Sequence, residues 1–153
     1  MKAYQHKVQY YETDKMQFTH HSNYIRFMEE ARIDFMEQTG WGYDKLEASG
    51  IVSPVIAVTC DYKKSTSFPD LIRIYTNIEE LSPVKLKLQY TMMVEDKVVC
   101  HSTSTHCFLN QNGRPVNLKK QSPEFYHRME KLKEEGIHYE DLPSPSQTIP
   151  SKE

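Results

Sequence analysis

The chain has 153 residues, of which 38% are hydrophobic, and its 19 basic and 21 acidic residues leave a formal charge of −2. That size predicts one domain, and the absence of any apolar run near 18–20 residues excludes a membrane-spanning helix. Near-neutral charge argues against a general nucleic-acid binder, and the hydrophobic fraction lies under the globular average of roughly 45–50%, which predicts a thin core. Cys60, Cys100 and Cys107 are odd in number, lack C-x-x-C spacing, and read as free thiols of a reducing compartment. The opening M-K-A-Y-Q-H-K-V has no apolar stretch of the signal-peptide kind, so a cytoplasmic location is expected.

In chain order, Tyr4, His6, Val8 and Tyr10 alternate with polar residues, the period of a strand. Ser22 to Thr39 changes to a helical period: Tyr24, Phe27, Met28, Ala31 and Phe35 share a face. Ser22 or Asn23 suits its N-cap and Gly40 its C′ position. Tyr43 to Ser49 predicts a short second helix closed by Gly50. Four strands follow, carried by Ile56-Val58-Cys60-Tyr62, by Ile72-Ile74-Thr76-Ile78, by Val84 to Val94, and by Val98 to Leu109. Asn110 to Gly113 is turn chemistry. Ser122, Pro123 and Gly136 bracket a last helix with Phe125, Met129 and Leu132 on one stripe. Residues 134–153, rich in proline and serine, are expected to form a flexible tail behind a domain spanning 1–133. Short connections imply antiparallel neighbours, and one-sided alternation implies a sheet with one buried face. The simplest assembly is an α+β domain, a five-stranded antiparallel sheet wrapped on one long helix.

The densest polar cluster, Y-Y-E-T-D-K-M-Q-F-T-H-H-S-N-Y from Tyr10 to Tyr24, lies between the first strand and the start of that helix. A helix start offers unpaired N–H groups and a positive dipole end, suited to a developing anion. Glu12 or Asp14, and His20 or His21, stand within a few residues of it, and acid–base groups beside an oxyanion site are what acyl transfer needs. His101 and His106 have opposite parity on one strand, so they are not expected to share a metal. No G-x-S-x-G, phosphate-loop or dinucleotide-binding motif occurs.

The run E-T-D-K-M, then H-S-N-Y, then a helix with F-M-E-E-A-R, resembles the 4-hydroxybenzoyl-CoA thioesterase-like branch of the hotdog-fold acyl-CoA thioesterases. D-Y-K-K-S-T-S-F-P-D-L-I-R-I and N-Q-N-G-R-P-V continue the likeness, which covers about residues 6 to 132. The resemblance implies a hotdog fold and hydrolysis of an acyl-CoA to free acid and CoA, with no metal or redox cofactor. It also implies a site between protomers of a homodimer or homotetramer. By the same resemblance Asp14 is the catalytic carboxylate, as nucleophile or general base, and the His21 N–H polarises the thioester carbonyl. Asn23 and Tyr24 match an N-Y pair beside the substrate. Lys63 and Lys64, with Lys119 and Lys120 behind them, are the cations for the phosphates of CoA. The chain departs from the family at Gln17, where a glycine is usual and permits positive φ. Gln17 therefore sustains a second reading, a non-hydrolytic acyl-thioester-binding module, and a thioester of acyl carrier protein is an alternative substrate. A hydratase or dehydratase on this fold would place its Asp and His at another spacing.

Overall fold

A computed structural model describes residues 1–142. Its elements are β1 (Tyr4–Lys7), α1 (Asn23–Gln38), α2 (Tyr43–Ala48), β2 (Val55–Tyr62), β3 (Leu71–Ser82), β4 (Lys85–Val94), β5 (Lys97–His106), α3 (Leu118–Gln121) and α4 (Pro123–Glu135). The five strands form one antiparallel sheet in the order β1-β3-β4-β5-β2. This is the expected α+β hotdog arrangement.

Register sets the faces. Ile72 stands opposite His6 and Val94, and Ile78 opposite Leu88. Leu88 in turn faces Ser104, and Met92 faces Cys100. These side chains meet Tyr24, Phe27, Met28, Ala31 and Phe35 of α1 in one buried cluster, so the helical stripe read from the sequence is the core seam. Burying each such side chain contributes roughly 1.5–3 kcal/mol. Phe125 and Met129 of α4 close one end of that core, where the Trp41 and Phe108 rings both meet Phe125 edge-on. Pro123 begins α4, and Gly136 leaves it at φ 77°, a conformation open to glycine.

Three local expectations are corrected. The first strand ends at Lys7, not Tyr10, because residues 10–12 turn into a 3-10 helix that leaves Tyr10 and Tyr11 about four-fifths exposed. Neither Ser22 nor Asn23 caps α1 with its side chain. Ser22 Oγ lies 2.8 Å from His20 Nδ1, and Asn23 Nδ2 donates to the Glu12 carbonyl at 2.9 Å, so both side chains serve the preceding loop. Gly40 does follow the helix at φ 87°.

The third correction concerns the chain beyond residue 133. Residues up to 142 are not a free tail: α4 runs to Glu135 and the next residues lie on the outer face of the sheet. The Tyr139 hydroxyl donates to the Thr76 carbonyl (2.6 Å) and accepts from the Thr76 N–H (2.9 Å). β1 stops pairing with β3 at Ile74, so Tyr139 supplies the main-chain partners that the short strand does not reach. Asp141 accepts from the Ala3 N–H, and the Tyr75 hydroxyl donates to the Asp141 carbonyl at 2.7 Å. The remainder of the expected tail, residues 143–153, lies outside the described residues.

β2 differs from its neighbours. It is an edge strand, and α1 packs chiefly on β1 and β3, so Val55, Ile56, Val58 and Tyr62 remain exposed, Ile56 by 58%. Among the described residues no helix is long and apolar enough to cross a membrane.

Candidate active site

The site begins at the loop between β1 and α1. Glu12 is 7% exposed and organises it. Its Oε1 accepts from the Gln9 N–H (2.7 Å) and lies 2.8 Å from His6 Nε2. The other nitrogen of His6 stands 3.1 Å from Glu30 of α1, which also accepts from the Tyr4 hydroxyl. The Glu12 carbonyl accepts from His20 N–H and Asn23 Nδ2. One buried residue thus ties the loop to β1, to α1 and to the loop's own far end.

Between these anchors the chain makes a tight reversal. Thr13 bridges Thr19, and Asp14 N–H donates to the Phe18 carbonyl at 2.7 Å. Asp14 Oδ1 accepts from the N–H of Met16 (2.9 Å) and Phe18 (3.3 Å), which fixes the carboxylate on an exposed turn. Gln17 takes φ 69°, the left-handed conformation that glycine would adopt with no Cβ penalty. Gln17 thus takes up the backbone conformation for which a glycine is suited. Gln17→Gly is expected to raise stability by roughly 0.5–1 kcal/mol, the relieved steric cost less the added freedom of the unfolded chain. Urea unfolding of both proteins measures it.

The far side of the helix start is built from hydroxyls. Tyr24, buried on α1, stands 2.8 Å from Thr66, whose hydroxyl donates to Thr19 at 2.7 Å. Tyr62, at the end of β2, donates to the His21 carbonyl (2.9 Å) and sets its ring edge-on to those of Tyr24 and His21. The His20 and His21 rings stack 4.2 Å apart. Among the described residues no acceptor takes the His21 main-chain N–H.

Two adjoining cavities result. One of about 620 Å³ is lined by Asp14 with Tyr10, Tyr11, Gln17 and Phe68. The other, about 240 Å³, is lined by His21, Tyr24, Tyr62, Lys63 and Lys64. Lys63 and Lys64 are held there by main-chain bonds to the Val99 carbonyl. Asp14 and His21 thus border neighbouring cavities rather than sharing one. Asn23 faces away from both, toward Glu12, and Tyr24 is a wall with its hydroxyl engaged. Lys119 and Lys120 lie on α3, and neither lines these cavities.

The residues that sequence reasoning passed over are His6, Tyr62 and Thr66. His6 did carry a signal, an imidazole at an inward strand position between Tyr4 and Val8. A further group lies on β2: the Cys60 thiol is held down to about 7, chiefly by the neighbouring Cys100 thiol, while Cys100 itself is pushed up. The two share a face of adjacent strands, since Cys60 opposes Ser102 and Cys100 opposes Tyr62. A thiol pulled down reacts faster as thiolate. Iodoacetamide at neutral pH is expected to alkylate Cys60 ahead of Cys100 and Cys107, as read by peptide mass mapping.

Comparison with known proteins decides the family. Residues 8–135 match the thioesterase-like superfamily. The chain belongs to it. A protein of Aquifex aeolicus (strain VF5), provisionally named an esterase, is 36% identical over 118 residues, 77% of this chain and 91% of that one. A Bacillus subtilis (strain 168) protein, provisionally named an acyl-CoA thioesterase, is 29% identical over 129 residues, 83% of this chain and 94% of that one. The solved structure of a DHNA-CoA thioesterase from Staphylococcus aureus superposes with a TM-score of 0.82 at 27% identity, covering 89% of this chain and 95% of that one. The protein is accordingly a thioester hydrolase of hotdog fold.

Proposed function

We propose that this thioesterase hydrolyses an acyl-CoA, with Asp14 as its catalytic carboxylate. The observation that carries this reading is the Asp14 turn itself: a carboxylate locked by two main-chain N–H groups immediately before the positive end of α1. As general base, Asp14 takes a proton from water while the water oxygen bonds to the thioester carbon. The carbonyl oxygen gathers negative charge against the His21 N–H, the C–S bond breaks, and the CoA sulfur leaves and regains a proton. As nucleophile, the carboxylate would attack the same carbon and expel the CoA thiolate, which regains a proton, and water would cleave the resulting anhydride to free acid and the restored carboxylate. Lys63 and Lys64, at the mouth of the neighbouring cavity, are placed to meet the CoA phosphates.

The active unit in this reading is at least a homodimer formed through β2. An exposed edge strand bearing Val55, Ile56, Val58 and Tyr62 offers unpaired main-chain groups and apolar side chains to a second copy. The cytoplasm is the compartment that the free cysteines suit. The non-hydrolytic alternative rested on Gln17, which adopts the left-handed conformation open to the glycine usual there.

The test is release of free thiol from a panel of aromatic, branched and straight-chain acyl-CoAs, beside a native mass. Turnover of at least one thioester by a dimer or tetramer supports the reading. Tight binding without thiol release, or a monomer that is fully active, overturns the corresponding part.

A further inference from the structure

A third cavity, of about 580 Å³, lies along the second half of α1, away from the Asp14 turn. Arg32, Ile33, Tyr43, Val52, Ser53 and Leu109 are among its lining residues. Ile33, Val52 and Leu109 offer apolar surface, but the inner wall is polar. Arg32 Nε donates to the Tyr43 hydroxyl at 2.8 Å. Behind it, Tyr90 stands 2.6 Å from Ser104, and Ser104 2.8 Å from His106 Nε2, all three buried. Among the described residues no carboxylate pairs with Arg32. A guanidinium has five N–H donors, and Arg32, with its Nε engaged by Tyr43, lines the cavity. A half-buried arginine bonded to a tyrosine rather than paired with an acid is an unusual group between the apolar Ile33, Val52 and Leu109 and the acidic residues of the same cavity.

The β2 edge places this chamber relative to the reacting end. If the whole of β2 pairs antiparallel with its copy about a two-fold axis, Val55 of one protomer lies opposite Tyr62 of the other. Val52, Ser53 and Pro54, on the cavity wall, lead directly into Val55, and Tyr62 borders the His21 cavity. The chamber of one protomer is then brought beside the helix start of its partner.

Resting on the acyl-CoA reading above, we propose that this chamber takes the distal end of the acyl group whose thioester is cleaved at the partner's Asp14. In it Arg32 and Tyr43 are specificity residues that select acyl groups ending in a neutral oxygen acceptor, a hydroxyl or keto group, over hydrocarbon of the same length. The rim supplies the neutrality. Glu29, Glu37, Asp44 and Glu47 surround the opening, all exposed, and oppose a second anionic group on the substrate.

The test compares kcat/KM for ω-hydroxyhexanoyl-CoA, hexanoyl-CoA and adipoyl-CoA in wild type, Arg32→Met and Tyr43→Phe, each checked for native mass. A hydrogen bond to a charged donor predicts about a ten- to hundredfold preference for the hydroxyacyl over the plain thioester in wild type. The dicarboxylic thioester is expected to fall below the hydroxyacyl one. Arg32→Met is expected to bring the ratio of hydroxyacyl to plain thioester turnover to about one, and Tyr43→Phe, which keeps the charge, to reduce it partway. A wild type that favours hexanoyl-CoA, or an Arg32→Met protein with an unchanged ratio, overturns this assignment and leaves the thioesterase reading standing. Hydrolysis of none of the three, nor of the wider panel, overturns both. Mixing Asp14→Asn chains with Arg32→Met chains tests the placement across the dimer: mixed dimers then hold one intact site, and the hydroxyacyl preference returns. Failure to return it, with mixed dimers present, overturns that placement.

Discussion

Replacing Asp14 by Asn is expected to lower acyl-CoA turnover roughly 10²–10⁴-fold, the contribution of a positioned general base. The substitution is nearly isosteric. Its amide oxygen can still accept from the Met16 and Phe18 N–H groups, which now hold the carboxylate at 2.9 and 3.3 Å, so the turn should survive. What is lost is the negative charge that takes a proton from water or attacks the carbonyl carbon. KM should change little, because Asn nearly matches Asp14 in size at the cavity wall and Lys63 and Lys64 are untouched. Steady-state thiol release, with unfolding midpoints measured alongside, separates lost chemistry from lost structure. Equal turnover by both proteins would remove Asp14 from the mechanism and move attention to His20 and His21.

Acid should destabilise the protein over a window set by His106. This residue is 1% exposed, and burial lowers its imidazole from 6.5 to about 4, with the Arg32 charge acting in the same direction. Below pH 6.5 the unfolded chain gains a proton at this position, while the folded chain does not until about pH 4. Stability is therefore complete above pH 6.5, falls with decreasing pH through the window, and levels below about 4 as far as this group is concerned. The sum over that shift is about 3 kcal/mol, on the order of a hundredfold in the unfolding equilibrium. Urea unfolding at steps between pH 7 and 4 reads the slope. In His106→Gln, which can still meet Ser104, the slope over this window should flatten. A slope retained in that variant would assign the acid sensitivity elsewhere.

These expectations rest on groups that were unequally legible in the chain. The stripe of Tyr24, Phe27, Met28, Ala31 and Phe35 identified the buried face of α1 because a helix repeats its faces locally, every three or four residues. The parity of Ile72, Ile74 and Ile78 did the same for β3. Asp14 could be singled out because its motif is contiguous with the helix start, so position in sequence and position in space coincide. The inward histidine of β1 was visible as a pattern break, but its partners Glu12 and Glu30 lie on separate elements. β2 shows the limit of periodicity most plainly. Its alternation suggested a half-buried strand, and only the strand order β1-β3-β4-β5-β2 makes it an edge with apolar residues in solvent.

The thin hydrophobic fraction has a corresponding structural form: one sheet layer on one long helix, with apolar residues of the edge strand β2 left exposed. By itself the sequence determined what local chemistry determines, namely the helical and strand periods, the turn glycines, the loop carrying Asp14 and the resemblance it bears. The tertiary structure alone decided what depends on contacts between distant residues. It put the Tyr62 hydroxyl on the His21 carbonyl, Tyr139 on the open edge of β3, Cys100 against Cys60, and Arg32 against Tyr43 and Tyr90 at the wall of a cavity. Such pairs leave no periodic trace, because their partners are chosen by how the strands and helices are laid beside one another in space.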